Sequence, residues 1–269
     1  MAAHSNRGPD TCSLQLTHSS VPSFIKHPRV HGPLYRHIKI GVGHRLDTMS
    51  SGVLVMAVGN GNKLLPEFQK ARFTRTYTLH GRLGFATKDF SDSGQVIEKV
   101  TYDHVTRERL ERVIAMVHSS HQKALLTYSG IGLSSQAAYE MAAQGFLRPT
   151  QSSPTLLTAL RCVHFRPPDF TLEVHCVNET CPALRRIIHE IGLELRSAAS
   201  CLLVRRTFEQ PFGLDDALLP AQWGLTAILN SIQRGQPAVT RFFARLLSSP
   251  QPTSEDICSH SSTGHQNRL

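Results

Sequence analysis

Period-two alternation of apolar and polar positions is clearest over Thr74 to Leu83 (TRTYTLHGRL), which predicts a strand. Two more strands, Leu156 to Phe165 and Phe170 to Val177, flank Arg166-Pro167-Pro168-Asp169, a reversal signal. In the second of these, Phe170, Leu172, Val174 and Cys176 fall on one face. Ser200 to Arg206 predicts a further strand. The apolar run Val53 to Val58, after the small-residue turn Ser50-Ser51-Gly52, predicts a buried strand within a strand-turn-strand unit that begins near Ile38.

Helical spacing predicts other elements. Over Thr106 to Val117, Leu110, Val113, Ile114 and Val117 line one face, with Thr106 as N-cap. From Pro182, an allowed first helical position, Leu184, Ile187, Ile188, Ile191 and Leu195 form an apolar stripe, with Thr180 or Cys181 before it. Asn60 to Lys70, Ser134 to Gln144, Trp223 to Ile232 and Ala238 to Leu247 are expected as shorter helices. Gly145 supplies the stop for the second of these. Strands and helices mix without regular alternation, so the fold class is α+β with a mostly antiparallel sheet.

Pro22, Pro28 and Pro33 predict an irregular path before Lys39, and residues 1–20 read as a disordered lead. From Ser248 the chain is polar and rich in Pro and Ser, and reads as a disordered tail. The expected organisation is a lead (1–20), a main folded domain (21–236), and a short helix with a tail (237–269).

The formal net charge of +9 over 269 residues favours an anionic partner, foremost nucleic acid. The six cysteines form no compact framework, so a reducing compartment is expected. Apolar runs fall short of the ~20 residues of a membrane span, and no secretory apolar region opens the chain. The first twenty residues hold one Arg and one acid, a poor mitochondrial presequence.

Three residues are candidates for chemistry. Asp47 follows His44-Arg45-Leu46 and precedes the Ser50-Ser51-Gly52 turn. A carboxylate held at a strand edge can act as nucleophile or base; a turn aspartate is the plain alternative. Tyr77 lies mid-strand and could be an ordinary strand aromatic. Arg185 sits in the first turn of its helix, where the macrodipole disfavours a cation. It therefore calls for an anionic partner, unless it is a surface arginine.

The stretch GVGHRLDTMSSGVLVMAVG (41–59) resembles the active-site signature of pseudouridine synthases. Thr87 to Gly94 (TKDFSDSG) resembles the T-D-x-x-D-x-x-G loop of the TruB family, and the Tyr77 strand resembles its K-x-Y strand. HCVNETCPALRRIIHEIG (175–192) resembles the stretch in which an Arg opens a helix and pairs with the catalytic Asp. Leu203 to Thr207 resembles the L-R-R strand end that closes the uridine pocket. Together, over Ile38 to Asp216, the chain is similar to the TruB family of pseudouridine synthases and most like its vertebrate mitochondrial branch.

That resemblance implies a pseudouridine synthase fold and a uridine flipped out of its stack. Asp47 attacks the ribose or the base, the glycosidic bond breaks, the uracil rotates, and a carbon–carbon bond forms. Tyr77 stacks on the base and is a candidate to take the proton from its carbon. Arg185 holds Asp47 ionised. No metal or organic cofactor is implied, because Asp supplies the nucleophile. His44 and Arg45, with Lys63, Arg205 and Arg206 as phosphate contacts, are the expected RNA-binding residues. The expected partner is RNA, in mitochondria, with RNA-maturation or ribosome-assembly proteins as further candidates and a monomer as the expected state.

The chain departs from the family in three ways. G-H-R-L-D is shorter than the bacterial TruB motif and resembles RluA-type synthases. No K-P-x-G element precedes Asp47, so the chain reads as N-terminally shortened. No room remains after Gln236 for a PUA domain. Two competing readings follow. Cys162, His164, His175, Cys176 and Cys181 could converge on zinc, but they lack a C-x-x-C pair, and core cysteines are favoured. The chain could also be an RNA-binding maturation factor that keeps the fold without turnover.

Overall fold

The computed structural model describes residues 38–71, 73–129 and 153–248. Its strands are β1 (Ile40–Val42), β2 (Ser50–Gly52), β3 (Met56–Val58), β4 (Arg75–Leu83), β5 (Phe85–Thr87), β6 (Val96–Lys99), β7 (Leu156–Arg166), β8 (Asp169–Val177), β9 (Ala199–Glu209) and β10 (Phe212–Gly213). Its α-helices are α1 (Leu65–Lys70), α2 (Arg107–Tyr128), α3 (Cys181–Glu194) and α4 (Leu225–Ser248). The main sheet runs β10-β9-β4-β8-β7, and every pair along that path is antiparallel. Strand β2 joins it as a parallel partner of β9. The fold is α+β with a mixed, mostly antiparallel sheet and flanking helices.

Strand β4 shows why the sheet has a core face. Arg75, Tyr77, Leu79, Gly81 and Leu83 are buried, and the residues between them are half-covered. Leu79, Leu172, Val174 and Val204 pack there with Leu110, Val113 and Ile114 of α2 and Leu184, Ile187, Ile188 and Ile191 of α3. Each such side chain contributes roughly 1.5–3 kcal/mol through burial. Helix α3 starts where its sequence says it should: Thr180 Oγ1 accepts the Ala183 N–H at 3.3 Å, and Pro182 fills the first turn.

Several elements differ from the sequence expectation. The run Val53 to Val58 is not one buried strand. Ser50–Gly52 pairs with β9, Met56–Val58 pairs with β1, and Leu54 and Met56 are exposed. Apolar character alone could not show that the chain changes sheets there. Helix α2 extends eleven residues beyond Val117, to Tyr128. The two short helices expected around Pro237 are one helix, α4, so the boundary expected after 236 falls inside an element. Proline is disfavoured inside helices, but here it does not end one. Phe242 of α4 is buried against Phe68 of α1 and Phe73. The Ser134–Gln144 helix, the lead and the tail beyond Ser248 lie outside the described residues.

Candidate active site

Asp47 sits in the loop between β1 and β2, where Ser50 N donates to its carbonyl at 3.2 Å. The Ser50 hydroxyl donates to Asp47 Oδ1. Arg185 Nη1 donates to Asp47 Oδ2 at 2.6 Å. The Asp47 side chain is 28% exposed, so the carboxylate is held yet reachable. Partial burial pushes its carboxyl up, but the Ser50 and Arg185 contacts outweigh this and hold it below its ordinary value of 3.8. The group is therefore ionised near neutrality and fixed at both oxygens.

The loop is fastened from β9. Arg206 is 1% exposed. Its Nε donates to the Val53 carbonyl at 2.7 Å and its Nη2 to the His44 carbonyl at 2.8 Å. Its own carbonyl accepts the Val53 N–H at 2.9 Å. One arginine thus grips the chain on both sides of Asp47. Gly52 makes the approach possible: its φ is +110°, and a Cβ there would collide with the Arg206 backbone.

Behind the loop lies a buried charge network. Arg206 Nη2 lies 3.0 Å from Glu209 Oε2, close enough for an ion pair but not aligned as a hydrogen bond. Glu209 Oε1 meets His44 Nδ1 at 2.8 Å and lies 3.4 Å from Arg75 Nε. Arg75 Nη1 donates to Glu179 Oε1 at 2.6 Å, and Tyr77 Oη donates to the same oxygen at 2.8 Å. Two arginines face two carboxylates, so the buried charge balances. Tyr77 stands opposite Arg206 in the β4–β9 ladder. The network therefore joins Tyr77 to the Asp47 loop.

The polar loop after β5 closes the other side. Cys201 N donates to the Phe90 carbonyl at 2.8 Å, and Asp92 N to the Cys201 carbonyl at 3.0 Å. Ser91 Oγ donates to Asp89 Oδ2 at 2.6 Å. That bond chiefly holds the Asp89 carboxyl below its ordinary value, with Arg185 adding to the effect. The Phe90 ring lies 4.7 Å from that of His189, one turn after Arg185. Burial pushes the Cys201 thiol up to about 12, which leaves it an inert core group beside Asp47 and Arg185.

Residues 33–181 match the model of the TruB family pseudouridylate synthase N-terminal domain. The chain is 54% identical to the mitochondrial pseudouridylate synthase TRUB2 of Rattus norvegicus, over 90% of this chain and 75% of that one. It is 52% identical to the Homo sapiens protein of the same name, over 90% and 73%. Identity to the Homo sapiens pseudouridylate synthase TRUB1 is 29%, over 86% and 67%. The chain belongs to the TruB family.

Against the TruB family signature, the structure brings Asp47 and Arg185 into direct contact and links Tyr77 to the Asp47 loop through Glu179, Arg75, Glu209 and Arg206. Arg45, Lys63 and Arg205 are exposed, as phosphate contacts would need to be. Arg206 is not: it is enclosed and spent on the loop and Glu209, so its expected role as a phosphate contact is corrected to a structural one. His44 is half-buried and tied to Glu209. Tyr77, expected to stack on a base, is 2% exposed, and burial and Glu179 push its phenol above the ordinary range. A base reaches that ring only if a neighbour moves.

Cys176 and Cys181 are buried and Cys162 half-buried, and Cys176 lies against the Arg75 carbonyl at 3.8 Å. Among the described residues no three His, Cys, Asp or Glu side chains are grouped to hold a metal. Sequence reasoning missed Ser50, Arg75, Glu179 and Glu209. Arg75 and Arg206 were within reach, since each alternates in phase with buried apolar neighbours, Tyr77 and Val204.

Proposed function

We infer that this chain isomerises uridine to pseudouridine in mitochondrial RNA, with Asp47 as the nucleophile. The observation that carries the assignment is the carboxylate gripped by Arg185 and Ser50 yet open to solvent on one side. An ionised carboxylate with fixed geometry is what attack on a ribose or a uracil ring requires. Arg185 acts as its electrostatic partner, and Tyr77 as the group that meets the flipped base. Arg45, Lys63 and Arg205 supply phosphate contacts, and no cofactor takes part.

The names of the TRUB2 relatives support both the activity and the compartment. Proteins of mitochondrial RNA maturation or ribosome assembly are the proposed partners beyond RNA.

A second reading, an RNA-binding factor without turnover, is favoured by one observation: the Tyr77 ring is enclosed. Pseudouridine mapping on RNA incubated with the wild type and with Asp47→Asn separates the two. Modification by the wild type and none by Asp47→Asn is expected. Binding without modification by either protein selects the second reading. Equal modification by both ends the nucleophile assignment.

A further inference from the structure

We propose that Glu179 is a positioning residue for Tyr77, receiving the phenol proton as Tyr77 takes a proton from carbon 5 of the rotated base. The proposal rests on the reading of Tyr77 given above and goes beyond it by naming where the proton goes.

Glu179 lies between the end of β8 and the Thr180 cap of α3. Asn178, in the left-handed region at φ 54°, turns the chain there. The side chain is buried. Arginine–carboxylate pairs frequently use both oxygens in a fork. Glu179 instead offers Oε1 to both Arg75 and Tyr77, while Oε2 is buried without a hydrogen-bond partner. A buried acceptor left unused carries a desolvation penalty. Such an unspent atom calls for an explanation.

The phenol, at Oε1, gives the same carboxylate a second role. Burial and the neighbouring carboxylate push the Tyr77 phenol up, so no phenolate forms near neutrality. A neutral tyrosine can take a proton from carbon only if its own O–H proton leaves at the same time. That proton already points at Glu179 Oε1. In the step, the carbon 5–hydrogen bond breaks and its electron pair returns to the ring. The proton joins Tyr77 Oη, and the former phenol proton passes to Glu179. Solvent then protonates the ring nitrogen freed from the sugar, and Glu179 returns its proton to solvent. The net change moves one proton from carbon to nitrogen, as an isomerisation requires. Arg75, held between Glu179 and Glu209, keeps the acceptor in place before the transfer.

The test uses the full chain and a pool of mitochondrial transcripts made in vitro with ordinary or 5-deuterated uridine. Single-turnover pseudouridine formation is followed for wild type, Glu179→Gln, Glu179→Asp and Tyr77→Phe. Glu179→Gln keeps an acceptor for the phenol but cannot take the proton. It is expected to slow turnover by about 100-fold, the lower range for general acid–base catalysis. Its deuterium effect should grow relative to wild type, RNA affinity should be unchanged, and Glu179→Asp should recover part of the rate. Wild-type turnover by Glu179→Gln overturns the proposal, as does a slow variant whose deuterium effect has not grown. If Glu179→Gln fails to fold, the double variant Arg75→Gln/Glu179→Gln, which removes both buried charges together, is read by the same criteria. Tyr77→Phe separates the two levels. Wild-type turnover by Tyr77→Phe sinks the Tyr77 reading itself. A slow Tyr77→Phe beside a normal Glu179→Gln sinks Glu179 alone.

Discussion

Arg185 Nη1 meets Asp47 Oδ2 at 2.6 Å across 138 residues of chain. Arg185 is the fifth residue of α3, close to the end where the macrodipole disfavours a cation, and the Asp47 carboxylate offsets that cost. Arg186, one residue on, is exposed and pairs with Glu190 of its own helix.

Arg185→Ala is therefore expected to abolish turnover and to lower stability by roughly 1–3 kcal/mol, less than a fully buried pair because Asp47 is partly solvated. Arg186→Ala should change stability by under about 0.5 kcal/mol. Urea midpoints and single-turnover rates for the two variants check this. Equal effects of the two substitutions would remove the pairing argument.

Arg206→Ala removes one of the partners of the buried Glu209 carboxylate and frees the His44 and Val53 carbonyls. A loss of roughly 3–5 kcal/mol is expected, with turnover lost in whatever protein remains folded. Arg206→Lys should not rescue it, because one ammonium cannot span both carbonyls in a planar fork. Thermal melts and turnover of the two variants test this, and a near-native Lys variant would show that charge alone matters.

Gly52→Ala should displace β2 from β9. The Cβ meets the Arg206 backbone, which has nowhere to go, and φ is in the left-handed region. The expected result is a folded sheet with a misplaced Asp47. Turnover should fall far more than the melting temperature, and hydrogen exchange should rise at Ser50 to Val53. Wild-type turnover would mean that the loop does not need β2.

The Asp47 carboxyl is held below 3.8 in the folded chain. Between the folded and unfolded values the unfolded state binds more protons, so stability rises with pH there. The contribution is complete above pH 3.8 and is lost as pH falls through the lower, folded value. The stability difference between wild type and Asp47→Asn should therefore stay level near neutrality and shrink only in strong acid. Denaturant titrations across that range check it. A difference that shrinks between pH 7 and 5 would contradict the assigned direction.

The sheet and its helices were readable because burial leaves a period in the sequence. The alternation of β4 and the stripe of α3 are such records, and Thr180 and Pro182 marked the start of α3. Asp47 and Arg185 could be matched because each was anomalous in its local setting: an acid before an apolar run, and a cation at a helix start. Glu179 and Glu209 carry no such mark. A single acid at the end of a strand reads as surface, and only the fold shows that two arginines wait for it. Arg206 reads as a basic surface residue until its neighbour Val204, two positions earlier on β9, fixes which way it points. The split of Val53 to Val58 between two sheets depends on partners far along the chain, which no window of local residues contains.

Apart from the local contacts of Ser50, the fastenings of the Asp47 loop come from late in the chain: Arg185, then Arg206 at separations of 153 and 162 residues, then Glu209 at 165. During synthesis Asp47 emerges early, ahead of the late residues that grip it. Such long-range closure is slow, because loop entropy must be met before the contacts repay it. The order of synthesis thus acts as a safety catch: no partly made chain that lacks β9 has a formed site, and Glu209, the residue that ties His44 into place, is the last of the set to appear.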